Sequence, residues 1–296
     1  MMDHDQRFKA LVREFFADFM RLFFPQWAKC FDLSKPEWLD KEMLPEPPDG
    51  DRHLLDLVAR MRTTKPLGES EEWLALVHIE IESGDRTTLI KPRLPRYYFH
   101  LKDRERQPVL PIVLYLRVGM EGIGVDTVEE FIGDFNVMTF RYCYVGLPAL
   151  DAVQYSQGEN LLGVAFSALM SAAKESWPWI GAKALLRLDE VNLTDYQRFL
   201  LTDCVNAYLP LDEEGRRMFE RITAMEPYSK IVARNKTPYD MGMEHGARTL
   251  AIALLESKFR TVPKPYLERI QQLSQRELQE LAVKTPNAAT IDELFR

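Results

Sequence analysis

The sequence predicts an α/β fold: a mixed sheet flanked by helices in the N-terminal half, followed by helices alone. Three observations carry this. Val77-His78-Ile79-Glu80-Ile81-Glu82 alternates strictly between apolar and polar residues, the period-two mark of a strand. VLPIVLYLRV at 109–118 is nearly all apolar, as expected of a strand covered on both faces. From about residue 155 onward the patterning becomes helical, with repeated cap signals.

Taken in chain order, residues 5–24 (DQRFKALVREFFADFMRLFF) carry apolar residues at helical spacing, and Pro25 marks the exit. The phenylalanine stripe reads as core. Trp27 to Leu33 reads as a short strand and Ser34-Lys35-Pro36 as a helix start, with a break at 45–51 (PEPPDGD). HLLDLVARMR (53–62) is an apolar strand holding one acid, Asp56. Thr63 to Glu72 includes Pro66 and Gly68 and suits a turn into the 77–82 strand. Ser83-Gly84-Asp85 turns the chain again. Leu89 to Lys102 then reads as helix, with Pro92 and Pro95 confining its regular parts. Gly119 to Gly124 reads as a flexible turn, its glycines lacking dinucleotide-fingerprint spacing, and Val137 to Val145 as a further strand.

Thr194-Asp195-Tyr196-Gln197, Ser274-Gln275-Arg276-Glu277 and Thr290-Ile291-Asp292-Glu293 all fit the capping box. Asp212-Glu213-Glu214 reads as a solvated helix start. Residues 244–260 form an amphipathic helix with Leu250, Ala251, Leu254, Leu255 and Phe259 assigned to one side, stopped by Pro263 and Pro265. The predicted division is a first domain at 1–150, a helical extension at 151–240 and a small helical domain at 241–296.

A hydrophobic content of 46% supports a packed core and argues against disorder. No run has the apolar length of a membrane span and the first residues lack a signal-peptide stretch, so no membrane partner is expected. The 3 cysteines, Cys30, Cys143 and Cys204, are far apart and suggest neither a disulfide framework nor a zinc site, which fits a reducing cytoplasm. A net charge of −7 excludes a generally basic nucleic-acid binder. Residues 85–117 are locally positive, with eight Lys/Arg against three Asp/Glu.

The chemistry concentrates on one strand face. His78, Glu80 and Glu82 share it, and crowded carboxylates need a cation, a proton or solvent. An ionised Asp56 among leucines needs a partner or a metal. Twenty-four residues separate it from Glu80, and antiparallel pairing of the two strands brings them together. Two carboxylates on adjacent strands are a minimal hard-oxygen site for Mg²⁺, as in metal-assisted phosphodiester hydrolysis. His78 either approaches such a site directly or serves as a hydrogen-bonding neighbour, and the second reading is preferred. The zincin HExxH, Walker A and GxSxG patterns do not occur.

Asp56 within HLLDLVARMR, HIEIES at 78–83, Arg93-Leu94-Pro95-Arg96-Tyr97 and VLPIVLYL follow one another in an order that resembles the recombination-promoting nuclease (Rpn, transposase-related) family of the PD-(D/E)XK nuclease superfamily. FKALVREFFADFMRLFFP and DLSKPEWLDKEML are similar to that family's opening, so the resemblance covers roughly residues 5–145. The tail from Leu250 is similar to a helical domain often appended to such proteins. The resemblance implies a restriction-endonuclease-like core and a DNA endonuclease using Mg²⁺ (or Mn²⁺), with Asp56 and Glu80 as metal ligands. Glu82 stands where the superfamily has Lys and the family usually Gln. It implies a further ligand, a general base or a degenerate site, with Lys91, Arg93 or Arg96 as candidates for the missing cation. Arg93 and Tyr97 match an Arg-x-x-x-Tyr motif, and Lys91, Arg93, Arg96 and Tyr97 are expected to face DNA. The alternative is a catalytically degenerate core acting as a DNA-binding or protein-interaction module. The C-terminal helices are a candidate homo-oligomer interface.

Overall fold

A computed structural model describes residues 4–39, 56–64, 74–82, 87–117, 119–229, 238–273, 275–288 and 290–295. Several expected features fall outside them: the 45–51 break, residues 53–55 of the first acidic strand, most of the 63–72 turn, the 83–85 turn and the Ser274 cap. The chain forms two compact units, Met1–Ile231 and Val232–Arg296.

The first unit is α/β, built on a six-stranded mixed sheet of order β1-β2-β3-β4-β6-β5. Its strands are β1 (Glu37–Trp38), β2 (Leu57–Arg62), β3 (Leu74–Glu82), β4 (Val109–Tyr115), β5 (Gly122–Ile132) and β6 (Phe135–Gly146). β1, β2 and β3 pair antiparallel, with Leu57 opposite Ile79 and Val58 opposite His78. β3 and β4 are parallel, as are β4 and β6, while β5 and β6 form an antiparallel hairpin. The parallel step from β3 to β4 requires a crossover, and α4 (Thr87–Glu105) supplies it. Pro92 and Pro95 lie inside this 19-residue helix, where each removes one N–H donor.

The period of β3 sorts its side chains. Val77, Ile79 and Ile81 join the main core with Leu57, Ala59 and Met61 of β2. That face is covered by α1 (His4–Glu14) and α2 (Phe16–Phe23), whose Phe8, Leu11, Val12, Phe16, Phe19, Met20 and Phe23, with Phe15 at the junction, recur at helical spacing. The opposite face, with Leu76, meets Tyr97 and Leu101 of α4. Farther along the sheet, Val113, Tyr115, Phe140 and Tyr142 pack against Ile90 and Leu94 of α4.

Three local expectations are corrected. Residues Pro25–Ala28 form a helical turn, α3, rather than the start of a strand, because Pro25 suits the first helical position. Ser34 caps no helix. Its N–H and hydroxyl both donate to Asp32 Oδ1, at 3.1 and 2.6 Å, and the turn leads into β1. The Gly119–Gly124 segment is only partly turn, since β5 begins at Gly122 and runs to a two-residue Gly133-Asp134 hairpin connection with Gly133 at φ 57°.

The rest of the first unit is helical among the described residues: α5 (Ala152–Ser156), α6 (Leu161–Phe166), α7 (Trp177–Asp189), α8 (Asp195–Tyr208) and α9 (Glu213–Ala224). The Thr194–Gln197 capping box is formed at the start of α8, and Asp212 caps α9. Ala165, Leu185, Leu200 and Val205 from these helices share the core of the sheet. In the second unit, α10 (Pro238–Phe259), α11 (Lys264–Gln272) and α12 (Gln275–Lys284) enclose Ala251, Leu255, Val262, Ile270, Leu278 and Leu281. Leu250 is 57% exposed and not on the buried side, since one residue turns an α-helix by about 100° away from Ala251. No helix among the described residues is long and apolar enough to cross a membrane.

Candidate functional site

The predicted acids meet at one end of β2 and β3. Asp56 immediately precedes β2, and the antiparallel register sets it beside Glu80. The Asp56 N–H donates to Glu80 Oε1 at 3.3 Å, and Asp56 Oδ2 accepts from the Ile81 N–H at 2.7 Å. Both carboxyls are held close together by backbone amides of the neighbouring strand.

Each acid also faces a base of this chain. Lys9 Nζ, from α1, lies 2.5 Å from Asp56 Oδ1. His78 Nε2 lies 2.7 Å from Glu80 Oε1, with the imidazole wholly buried. Arg93 Nη2 donates to Glu82 Oε1 at 2.9 Å. Nδ1 of His78 is buried with no hydrogen-bond partner among the described residues, and the ring packs edge-on to Tyr97 with centroids 5.9 Å apart.

The electrostatics follow from crowding and burial. Burial, reinforced by the charge of Glu80, raises the Asp56 carboxyl from 3.8 to about 6, against the opposing pull of Lys9 and the Ile81 N–H. Burial raises Glu82 from 4.5 to about 7; Glu80 and Asp56 push in the same direction and Arg93 opposes them. The Tyr97 hydroxyl is pushed up to about 12, chiefly by burial and then by Glu80. These groups prefer to be neutral, or to meet added positive charge.

The four residues expected to face DNA are divided. Arg93 turns inward to Glu82 and also hydrogen-bonds Tyr97, which is only 6% exposed. Lys91 pairs with Asp126 Oδ2 at 2.6 Å, the same oxygen that accepts from the Tyr142 hydroxyl at 2.6 Å. Arg96 is exposed. Lys9 was not anticipated: a lysine beside a helical apolar stripe looks like a solvated flank, and only the tertiary fold puts it on Asp56.

Among the described residues no group of three or more His, Cys, Asp or Glu side chains is arranged to hold a metal ion. The donors that converge are two carboxylates, Asp56 and Glu80. Such a pair fits Mg²⁺, which uses one or two protein carboxylates and keeps several waters; the repulsion between Asp56 and Glu80, which Lys9 offsets only in part, is the kind a cation removes. No protein-family model, curated protein or solved structure matches the chain.

Proposed function

We propose that this chain is a metal-dependent DNA endonuclease, hydrolysing phosphodiester bonds with Mg²⁺ or Mn²⁺, on a restriction-endonuclease-like core of the Rpn type. The observation that carries the reading is the Asp56–Glu80 juxtaposition, fixed by backbone amides at one end of an antiparallel strand pair. The order helix, three antiparallel strands, crossover helix, parallel strand supports the fold part of the reading.

Asp56 and Glu80 would hold the cation, which supplies charge neutralisation at the scissile phosphate and acidifies the attacking water. His78 fixes the rotamer of Glu80 through its Nε2 contact. Glu82, raised to about 7, is the general base of this reading, since a carboxyl near the working pH combines availability with proton affinity. Arg93 orients Glu82 rather than reaching for DNA. The exposed Arg96 is the candidate for a sequence-independent phosphate contact.

One observation favours a second reading. Asp56 and Glu82 each pair with a cationic side chain of the same chain, and Glu80 contacts His78, an internally paired arrangement suited to a nuclease-like core that now serves DNA binding or protein interaction. Nicking of supercoiled plasmid by purified protein with Mg²⁺ or Mn²⁺, beside Glu80→Ala and an EDTA control, decides between them. Cleavage requiring both metal and Glu80 supports the endonuclease. Absence of cleavage with every metal favours the interaction module.

A further inference from the structure

Lys9 is 8% exposed and flanked on α1 by Phe8, Leu11 and Val12, all buried. An ammonium is rarely taken so far from water without a compensating charge, and here the charge is Asp56, 2.5 Å away. The geometry at Asp56 is restrictive. Oδ2 accepts from the Ile81 N–H, and Lys9 sits on the other oxygen, Oδ1, where it competes directly with any added positive charge for the same carboxylate. Glu80 is tied to this arrangement through the Asp56 N–H. A lysine ammonium is a compact charge on a flexible four-carbon stem, so it can leave Asp56 by rotamer changes while the helix stays in place.

We propose that Lys9 is a built-in rival for a divalent cation at Asp56: its ammonium holds the carboxylate in the metal-free protein and leaves when a cation is bound between Asp56 and Glu80. The proposal rests on the metal-dependent reading above and deepens it. Metal uptake at this site is then an exchange of one cation for another, and the lysine released is a positive charge freed next to the reaction centre.

The test is calorimetric titration of the purified full chain with Mn²⁺, at fixed pH and ionic strength, for wild type, Lys9→Met and Lys9→Arg. Lys9→Met is expected to bind Mn²⁺ about tenfold more tightly than wild type, within the ordinary range of coupling between two binding events. Lys9→Arg, which keeps the charge, is expected to gain nothing. A second measurement uses the unmutated protein: acylation of Lys9 by an amine-reactive ester, followed by mass spectrometry, is expected to be slow without metal and faster with saturating Mg²⁺. Equal or weaker Mn²⁺ binding by a folded Lys9→Met overturns the proposal and leaves the metal-dependent reading standing. Acylation indifferent to Mg²⁺ also overturns it, and decides the matter if Lys9→Met fails to fold. Failure of wild type and Lys9→Met alike to bind Mn²⁺ removes both this proposal and the metal-dependent reading.

Discussion

Arg93 donates from Nη2 to Glu82 Oε1 at 2.9 Å, tying the crossover helix α4 to the last residue of β3. The Glu82 side chain is 12% exposed and that of Arg93 28%, so the pair is shielded on the acid's side more than on the base's. Arg93→Ala should therefore leave a carboxylate poorly solvated and poorly paired. A loss of about 1–2 kcal/mol is expected at pH 8, below the cost for a fully buried pair because Arg93 is partly wet. Urea denaturation of Arg93→Ala and Arg93→Ala/Glu82→Gln checks this: the double variant should recover most of the loss.

Asp56 and Glu82 give the metal-free protein a specific pH dependence. Both carboxyls bind protons more tightly folded than unfolded, from 3.8 up to about 6 and from 4.5 up to about 7. Their stabilising contribution is complete below the ordinary values and is lost as pH rises through the folded ones. The contribution of these two groups to stability in EDTA should fall between about pH 4 and pH 7. Asp56→Asn and Glu82→Gln should each flatten the curve measured by chemical denaturation across that range. A wild-type curve rising through the same window would contradict the assignment.

His78 sits where a side chain controls another side chain. Its Nε2 meets Glu80 Oε1, the oxygen that also accepts the Asp56 N–H. His78→Leu removes the partner of a buried carboxylate and is expected to cost about 1–3 kcal/mol. Under the proposed function it also weakens Mn²⁺ binding by about 10–100-fold, the usual effect of losing a hydrogen bond to a ligand. His78→Gln, which keeps a donor on the same face, should restore part of the affinity; titration of the three proteins measures it.

Gly146 closes the β6 end of the sheet against the loop before β5. A Cβ added there would lie 1.7 Å from the Met120 carbonyl oxygen and 2.7 Å from its carbon. The obstacle is backbone, which cannot rotate aside as a side chain can. Gly146→Ala should cost about 3 kcal/mol or more, the upper range of overpacking. Thermal unfolding checks this, with Gly133→Ala as the comparison: nothing lies within 4 Å of a Cβ there, so only the left-handed φ of 57° opposes it, at roughly 1–2 kcal/mol.

What sequence patterning reveals here follows from how local the controlling interaction is. The alternation in β3 is legible because one face meets the core of α1 and α2 and the other meets α4, so each position has a fixed demand. Asp56 and Glu80 could be paired from strand order alone, since antiparallel register carries the geometry. Lys9 was illegible because its partner belongs to a distant strand. The sequence left Arg93 two roles, a DNA contact or the cation beside Glu82, because a basic helix after an acidic strand looks the same whether its arginines face solvent or salt-bridge to that strand; only the fold selects the second. β5 escaped notice because Gly122, Gly124 and Asp126 dilute its apolar signal at an exposed sheet edge. The cysteines carried little signal in either direction, and Cys143 and Cys204 are buried as free thiols.

The contacts that make up the acid cluster close chain segments of very different size. His78 and Glu80 are 2 residues apart, Glu82 and Arg93 are 11 apart, and Asp56 reaches Glu80 across 24. Closing a longer loop costs more conformational entropy, although the cost grows slowly with length. The histidine and arginine contacts can therefore exist in a chain that has formed only β3 and α4, whereas the carboxylate pair requires β2 to have docked in register. A one-residue slip of β2 would turn its side chains to the opposite face and separate Asp56 from Glu80. The paired carboxylates thus report correct strand alignment, and whatever chemistry they support is withheld from misregistered chains.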